Sequence, residues 1–221
     1  MRIDKRRTMI AYGVMTLICG VIAWSYSIDN NEVHLNNEIL IPFSFIALGV
    51  LIKYGDQSYD SNCFSRRISN LLSVPCGLWM GGLIIFDPDT ATIFIGMLLA
   101  LLIASKYDNV AFKLGFGIAF IASVITIFND PGNVSFIGII VVFAAAFADE
   151  WVSDRADAMN KSGFLWTLMK ERPVLKLAVL ALCAMSILSS YLYFFAFLGF
   201  DLGYSFVAKY AEWRGCEPAK A

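Results

Sequence analysis

Charge is scarce in this chain. Of its 221 residues only 16% are Asp, Glu, Lys or Arg, against about 25% in an average soluble domain. Hydrophobic residues make up 58% and mean hydropathy is +0.67. Those values exclude a disordered chain, a collagen and an ordinary cytosolic enzyme, and they indicate an integral membrane protein. Histidine is nearly absent too. His34 stands alone in a polar loop, which leaves an imidazole metal site or a Ser–His or Cys–His nucleophile pair without its second member. No C-x-x-C occurs. Cys19, Cys63, Cys76, Cys183 and Cys216 are odd in number and scattered, and three lie inside apolar runs. They read as small packing residues, neither a zinc site nor a disulfide framework. The chain also lacks a P-loop, G-x-S-x-G, H-E-x-x-H and a dinucleotide fingerprint. Its basic residues sit at the edges of apolar runs, which suits anionic lipid headgroups and gives nucleic-acid binding no support.

What is abundant is apolar sequence, in seven segments: Thr8–Tyr26, Glu38–Tyr54, Ile68–Phe86, Pro88–Ser105, Asn109–Phe128, Val134–Ala148 and Val174–Phe200. In a bilayer only helices or closed barrels satisfy the backbone. These runs are continuous, without strand-like alternation, so they predict helices. The expected fold is an all-α polytopic bundle of about seven transmembrane helices, with residues 1–221 forming a single transmembrane domain. The turn sequences Asp87–Asp89 and Asn129–Asn133 predict tight hairpins of the third with the fourth helix and the fifth with the sixth. Gly77 and Gly81 give a G-x-x-x-G spacing that permits close helix approach. Pro75 predicts a kink in the third helix. Pro173 suits the first turn of the seventh, which is read as one long span.

Lys and Arg set the orientation. With the N-terminus in the cytoplasm, fourteen of the seventeen fall inside, none falls in the three outside loops, and Lys209, Arg214 and Lys220 occupy the tail. Seven spans then put the C-terminus outside. The expected location is the cell membrane, as a multi-pass protein.

The carboxylates gather at the cytoplasmic ends. Asp56 and Asp60 share one face if the second helix continues past Tyr54. Glu150, Asp154, Asp157 and Lys161 fall within an arc of about 60° if the sixth continues past Asp149. Like charges on one face repel unless neutralised, either by nearby Lys and Arg or by a hard cation such as Mg²⁺. Two clusters at matching depth are able to hold Mg²⁺ around a diphosphate and stabilise it as a leaving group. On that reading Asp56, Asp60, Asp154 and Asp157 hold metal with Glu150 in support. Lys53, Arg66, Arg67 and Arg155 meet the diphosphate, and Tyr54, Tyr59 and Tyr107 lie near the same face. It requires the second and sixth helices to be neighbours across a cavity open to the cytoplasm and to the membrane core. The catalytic residue itself is not identified.

The order of these parts resembles the UbiA superfamily of intramembrane prenyltransferases. Asp56-Gln-Ser-Tyr-Asp60 looks like that family's first Asp-rich motif, with Arg66-Arg67 after it. Asp149-Glu150-Trp-Val-Ser-Asp154-Arg155-Ala-Asp157 looks like the second, and Lys106 and Lys113 stand in the loop where a basic residue is often found. Gly55 replaces the usual Asn, and seven helices stand against the family's nine. The resemblance implies Mg²⁺, a polyprenyl diphosphate donor and an aromatic or lipid acceptor, with transfer of a prenyl or related lipid-phosphate group at the cytoplasmic face. Two other classes stay open. One is a small-solute or ion transporter or channel, against which stands the absence of ionisable residues from the middle of every segment. The other is a non-catalytic membrane scaffold subunit.

Overall fold

The computed structural model of the chain describes residues 14–25, 35–61, 64–104, 109–159 and 172–214; for residues 35–37, 154 and 156–159 it describes the backbone alone. These residues form eight helices and no strand: α1 (Val14–Ser25), α2 (Leu35–Asp60), α3 (Arg66–Phe86), α4 (Pro88–Ile103), α5 (Val110–Asn129), α6 (Phe136–Met159), α7 (Pro173–Ala184) and α8 (Leu192–Trp213). Stretches of α2, α3, α5, α6 and α8 are long and apolar enough to cross a bilayer. The fold is a membrane-type helical bundle.

Local sequence explains most of the boundaries. Asp87 caps α4, its carboxylate accepting the Thr90 amide at 2.8 Å, with Pro88 at the first position. Asn109 caps α5 through the Phe112 amide at 2.7 Å. Such caps satisfy amides that have no partner within the helix. As expected, α2 runs on to Asp60, α6 runs past Asp149 to Met159, and Pro173 opens α7. The third helix continues through Pro75 as one element.

One expectation fails outright. The segment Val174–Phe200 is not a single span. The chain leaves helical geometry after Ala184, Ser186 takes a left-handed φ of 55°, and α8 starts at Leu192. Nothing in the hydropathy marks this break, because Met185, Ile187 and Leu188 are as apolar as a helix interior. Ser189 and Ser190 are the visible signal. The Ser190 hydroxyl accepts the Leu192 amide at 3.1 Å. The Ser189 amide and hydroxyl both donate to Asp89, and Tyr193 donates to Asp87 at 2.8 Å. The α7–α8 turn is therefore fastened to the α3–α4 turn at one end of the bundle. The opposite end carries every described Lys and Arg: Lys53, Arg66, Arg67, Lys113, Arg155, Arg172, Lys176, Lys209 and Arg214.

Packing follows a ring: α2 on α3, α3 on α5, α5 on α4, α4 on α6, α6 on α7, α7 on α8, and α8 back on α2. The predicted α5–α6 hairpin does not pack as one, since α5 lies on α3 and α6 on α4. The tightest seams are built on glycine. A Cβ at Gly49 would lie 2.1 Å from the Phe200 carbonyl oxygen, and one at Gly203 2.5 Å from that of Ile46, so α2 and α8 touch backbone to backbone. Gly77 does the same to Gly115 on α5, at 2.7 Å. Close approach of this kind is how helices associate when lipid removes the hydrophobic driving force between them. Large apolar side chains such as Leu71, Phe86, Phe128 and Phe206 face outward instead.

Gly49→Ala must push α8 away from α2. Overpacking of this sort costs about 1–3 kcal/mol, and the unfolding midpoint in detergent should fall by several degrees. Gly82→Ala, where an added Cβ meets nothing within 4 Å, should leave the midpoint unchanged or raise it slightly, since Ala is the better helix former. Equal midpoints for the two variants would contradict the α2–α8 contact.

Candidate functional site

At the basic end a cavity of about 470 Å³ opens into the bundle. Its mouth is polar. Lys53, Asp56 and Asp60 come from α2, Glu150 and Ser153 from α6, Tyr204 from α8, and Arg172 from the residue before α7. Its interior is apolar, with Cys76, Met97, Leu98 and Phe112 along the walls and Met80, Phe94 and Phe200 at the bottom.

The mouth is organised by ion pairs. Lys53 Nζ lies 2.6 Å from Asp56 Oδ2, one helical turn away, and donates to the Tyr204 hydroxyl at 3.3 Å. Arg172 pairs with Glu150 Oε1 at 2.5 Å. Both cations also sit over the Tyr204 ring, at 4.7 and 5.4 Å from its centroid, where the ring quadrupole attracts positive charge. Burial works against the Arg172 charge, but Tyr204 and the Glu150, Asp201 and Asp149 carboxylates outweigh it and move the guanidinium pKa up. Arg172 is thus a permanent cation held in left-handed backbone geometry, φ 50° and ψ 56°. That conformation costs a non-glycine residue about 1–2 kcal/mol.

Asp149 explains how the strain is tolerated. It is 1% exposed, and its carboxylate accepts the amides of Val174 at 3.2 Å and Leu175 at 2.7 Å. It caps α7 from α6, twenty-five residues upstream, and its charge also favours the helix N-terminus. A third pair lies behind the mouth. Lys176 on α7 meets Asp201 on α8 at 3.0 Å, with both side chains largely buried. Beside it Arg172, Lys176, Asp201 and Tyr204 surround a void of about 10 Å³, close to the room one water needs.

Asp56 and Asp60 of the second helix and Glu150 of the sixth line one cavity. The helices themselves do not pack as neighbours; the cavity lies between them. Asp56, Asp60, Glu150 and Lys53 line it, as does Ser153. Of the other expected diphosphate contacts, Arg66 and Arg67 are exposed on the first turn of α3, and Arg155 stacks outward on Trp151 at 3.6 Å. They lie outside the cavity lining. Tyr54 packs on Phe64 and Tyr59 donates to Asn70, also away from the lining. The side chains of Asp154 and Asp157, together with Tyr107, Lys106 and Lys161, lie outside the described residues. Among the described residues no three His, Cys, Asp or Glu side chains converge as metal ligands. With Asp56 turned to Lys53 and Glu150 to Arg172, the described donors do not fit a magnesium site.

No family model, no curated protein and no solved structure matches the chain.

Sequence reasoning missed Arg172, Lys176, Asp201 and Tyr204 as parts of the site. Arg172 and Lys176 read as boundary charges. Asp201 reads as the end of a span only while α7 and α8 are taken as one; in α8 it lies at mid-helix. The usable signal was Arg172-Pro173 directly after a long polar stretch, together with Asp201 and Tyr204 on one face of a continuing helix.

The α7 cap gives a clear expectation. Asp149→Ala should lower the unfolding midpoint by several degrees, since losing a helix cap costs about 0.5–2 kcal/mol. Asp149→Asn, which keeps an acceptor oxygen, should lose less. A midpoint that is insensitive to both changes would remove Asp149 from the account of α7.

Proposed function

We propose that the chain is an integral membrane protein of the cell membrane with eight spans, both ends of the chain lying in the cytoplasm. The helix order supports an even number of crossings, with α7 leaving the basic end and α8 returning to it. On that topology all seventeen Lys and Arg lie on one side, the tail included, which fits the positive-inside rule better than seven spans do.

Within that frame the cavity favours an enzyme of lipid or isoprenoid metabolism acting on an amphiphile with an anionic, phosphate-bearing head. The observation that carries this reading is the division of one cavity into a charged mouth and an apolar interior. Lys53 and Arg172 would receive the head, since phosphate is bound by charge-assisted hydrogen bonds from such groups. Asp56 and Glu150 would hold the two cations in position before the ligand arrives. The interior would take the tail. A prenyl diphosphate, as the UbiA-like order of motifs implies, satisfies both halves. Mg²⁺ belongs to the proposal only as the ion a diphosphate brings with it, and no step is assigned to it. A transporter of such an anion is the second reading. The buried Lys176–Asp201 pair between α7 and α8 favours it, because buried ionisable residues that face a bundle interior commonly mark transport paths.

Thermal unfolding in detergent tests the binding claim. Farnesyl diphosphate with Mg²⁺ should raise the midpoint of the wild type. A ligand at a hundred times its Kd adds about 2.7 kcal/mol, which is roughly 5–10 °C for a chain of this size. Lys53→Gln and Arg172→Gln should each lose most of the shift. No shift in the wild type, or the same shift in both variants, contradicts the proposal. Flux of the diphosphate across sealed vesicles without chemical turnover would decide for transport.

A further inference from the structure

The cavity ends on a closed floor, and that floor has a consequence for the tail. Along α3 the lining runs from Ser69 at the mouth to Met80 at the bottom, eleven residues or about 16 Å at 1.5 Å per residue. The α4 lining ends at Phe94 and the α8 lining at Phe200. Beneath them the core is shut. Phe94 is 1% exposed, stacks on Phe45 at 4.7 Å between centroids and meets Phe200 edge-on at 6.2 Å. Leu48 and Ile84, one turn deeper on α2 and α3, are fully buried. A tail entering from the mouth therefore has a fixed depth available. An extended methylene chain advances roughly 1.25 Å per carbon, given a 1.52 Å bond at the tetrahedral angle. About a dozen carbons fill the space.

We propose that the floor built by Met80, Phe94 and Phe200 sets the tail length this cavity accepts, with Phe94 as the stop. The proposal rests on the headgroup reading above, which requires the anionic head to stay at Lys53 and Arg172. A tail longer than the cavity must displace Phe94 from Phe45, or lift its head off the two cations. A shorter tail leaves apolar wall unfilled and loses the dispersion contacts that filling would give. Affinity is therefore greatest at one length. Cys76 faces the same space about two-thirds of the way from Ser69 to Met80 along α3, so a larger side chain there shortens the cavity without entering the packed core.

The test uses the full chain in a sugar-headed detergent and reads the unfolding midpoint with single-chain alkyl phosphates from octyl to octadecyl, at equal mole fraction in the micelle. The wild type should show its largest shift near dodecyl phosphate and a smaller one with hexadecyl and octadecyl. Phe94→Ala should move the optimum to longer chains, and Phe94→Leu does so more weakly while sparing the core if the alanine variant is too unstable to purify. Cys76→Phe should move the optimum to shorter chains. Leu78→Phe, on the exposed face of α3, should leave it in place. A shift that grows with length without an optimum, or an optimum that neither the Phe94 variants nor Cys76→Phe move, overturns the floor and leaves the headgroup reading standing. No shift with any alkyl phosphate overturns both.

Discussion

Three buried or half-buried ion pairs around Tyr204 set the form of the basic end. Taking a charge out of water costs several kcal/mol even after the protein relaxes. Lys53, Arg172 and Lys176 therefore enter the bundle with partners: Asp56, Glu150 and Asp201. Each pair ties down a different piece of chain. Lys53–Asp56 lies within α2, Glu150–Arg172 bridges α6 to the start of α7, and Lys176–Asp201 bridges α7 to α8. Tyr204 lies under two of the cations at once. The polar mouth is thus a framework of paired charges that joins α2, α6, α7 and α8.

The cavity exists because the helices close elsewhere. Glycine lets α2 meet α8 and α3 meet α5 at backbone distance, and the α3–α4 and α7–α8 turns are joined through Asp87, Asp89, Ser189 and Tyr193. The far end of the bundle is therefore tied together while the basic end stays apart. Depth, charge and closure come from separate features of the sequence: aromatics at Phe45, Phe94 and Phe200, paired charges at the mouth, and small residues along the seams.

Much of this was legible in the residues alone. Apolar runs predict helices because the bilayer admits little else, and among the described residues six of the seven expected segments each fall on a single helix. The placement of Asp56, Asp60 and Glu150 at one end of the bundle was legible too, since it follows from helical periodicity and from the run of Lys and Arg; that they line one cavity was not, because no pattern in the residues says which helices close around it. The α7–α8 break was not legible either. Hydropathy averages over the turn, and a backbone stop made by Ser186 and Ser190 has no apolar signature. That error hid Asp201 and Tyr204 by placing them at a boundary. Asp149 was legible as an acid but not as a cap, because the amides it satisfies lie beyond a long polar stretch. Gly199 and Gly203 repeat the G-x-x-x-G spacing recognised at Gly77 and Gly81, and they form the tighter contact.

The most direct test of a single amphiphile-binding cavity is the reactivity of Cys76. Cys76 and Cys183 are both buried, but Cys76 lines the cavity and Cys183 lies outside it, against the Ser190 carbonyl. Modification by a small methanethiosulfonate, followed residue by residue in peptide mass spectra, should slow severalfold at Cys76 when farnesyl diphosphate is present, and the protection should vanish in Arg172→Gln. Unchanged reactivity of Cys76 at a ligand concentration that raises the unfolding midpoint would mean that the amphiphile binds elsewhere, and would contradict the account.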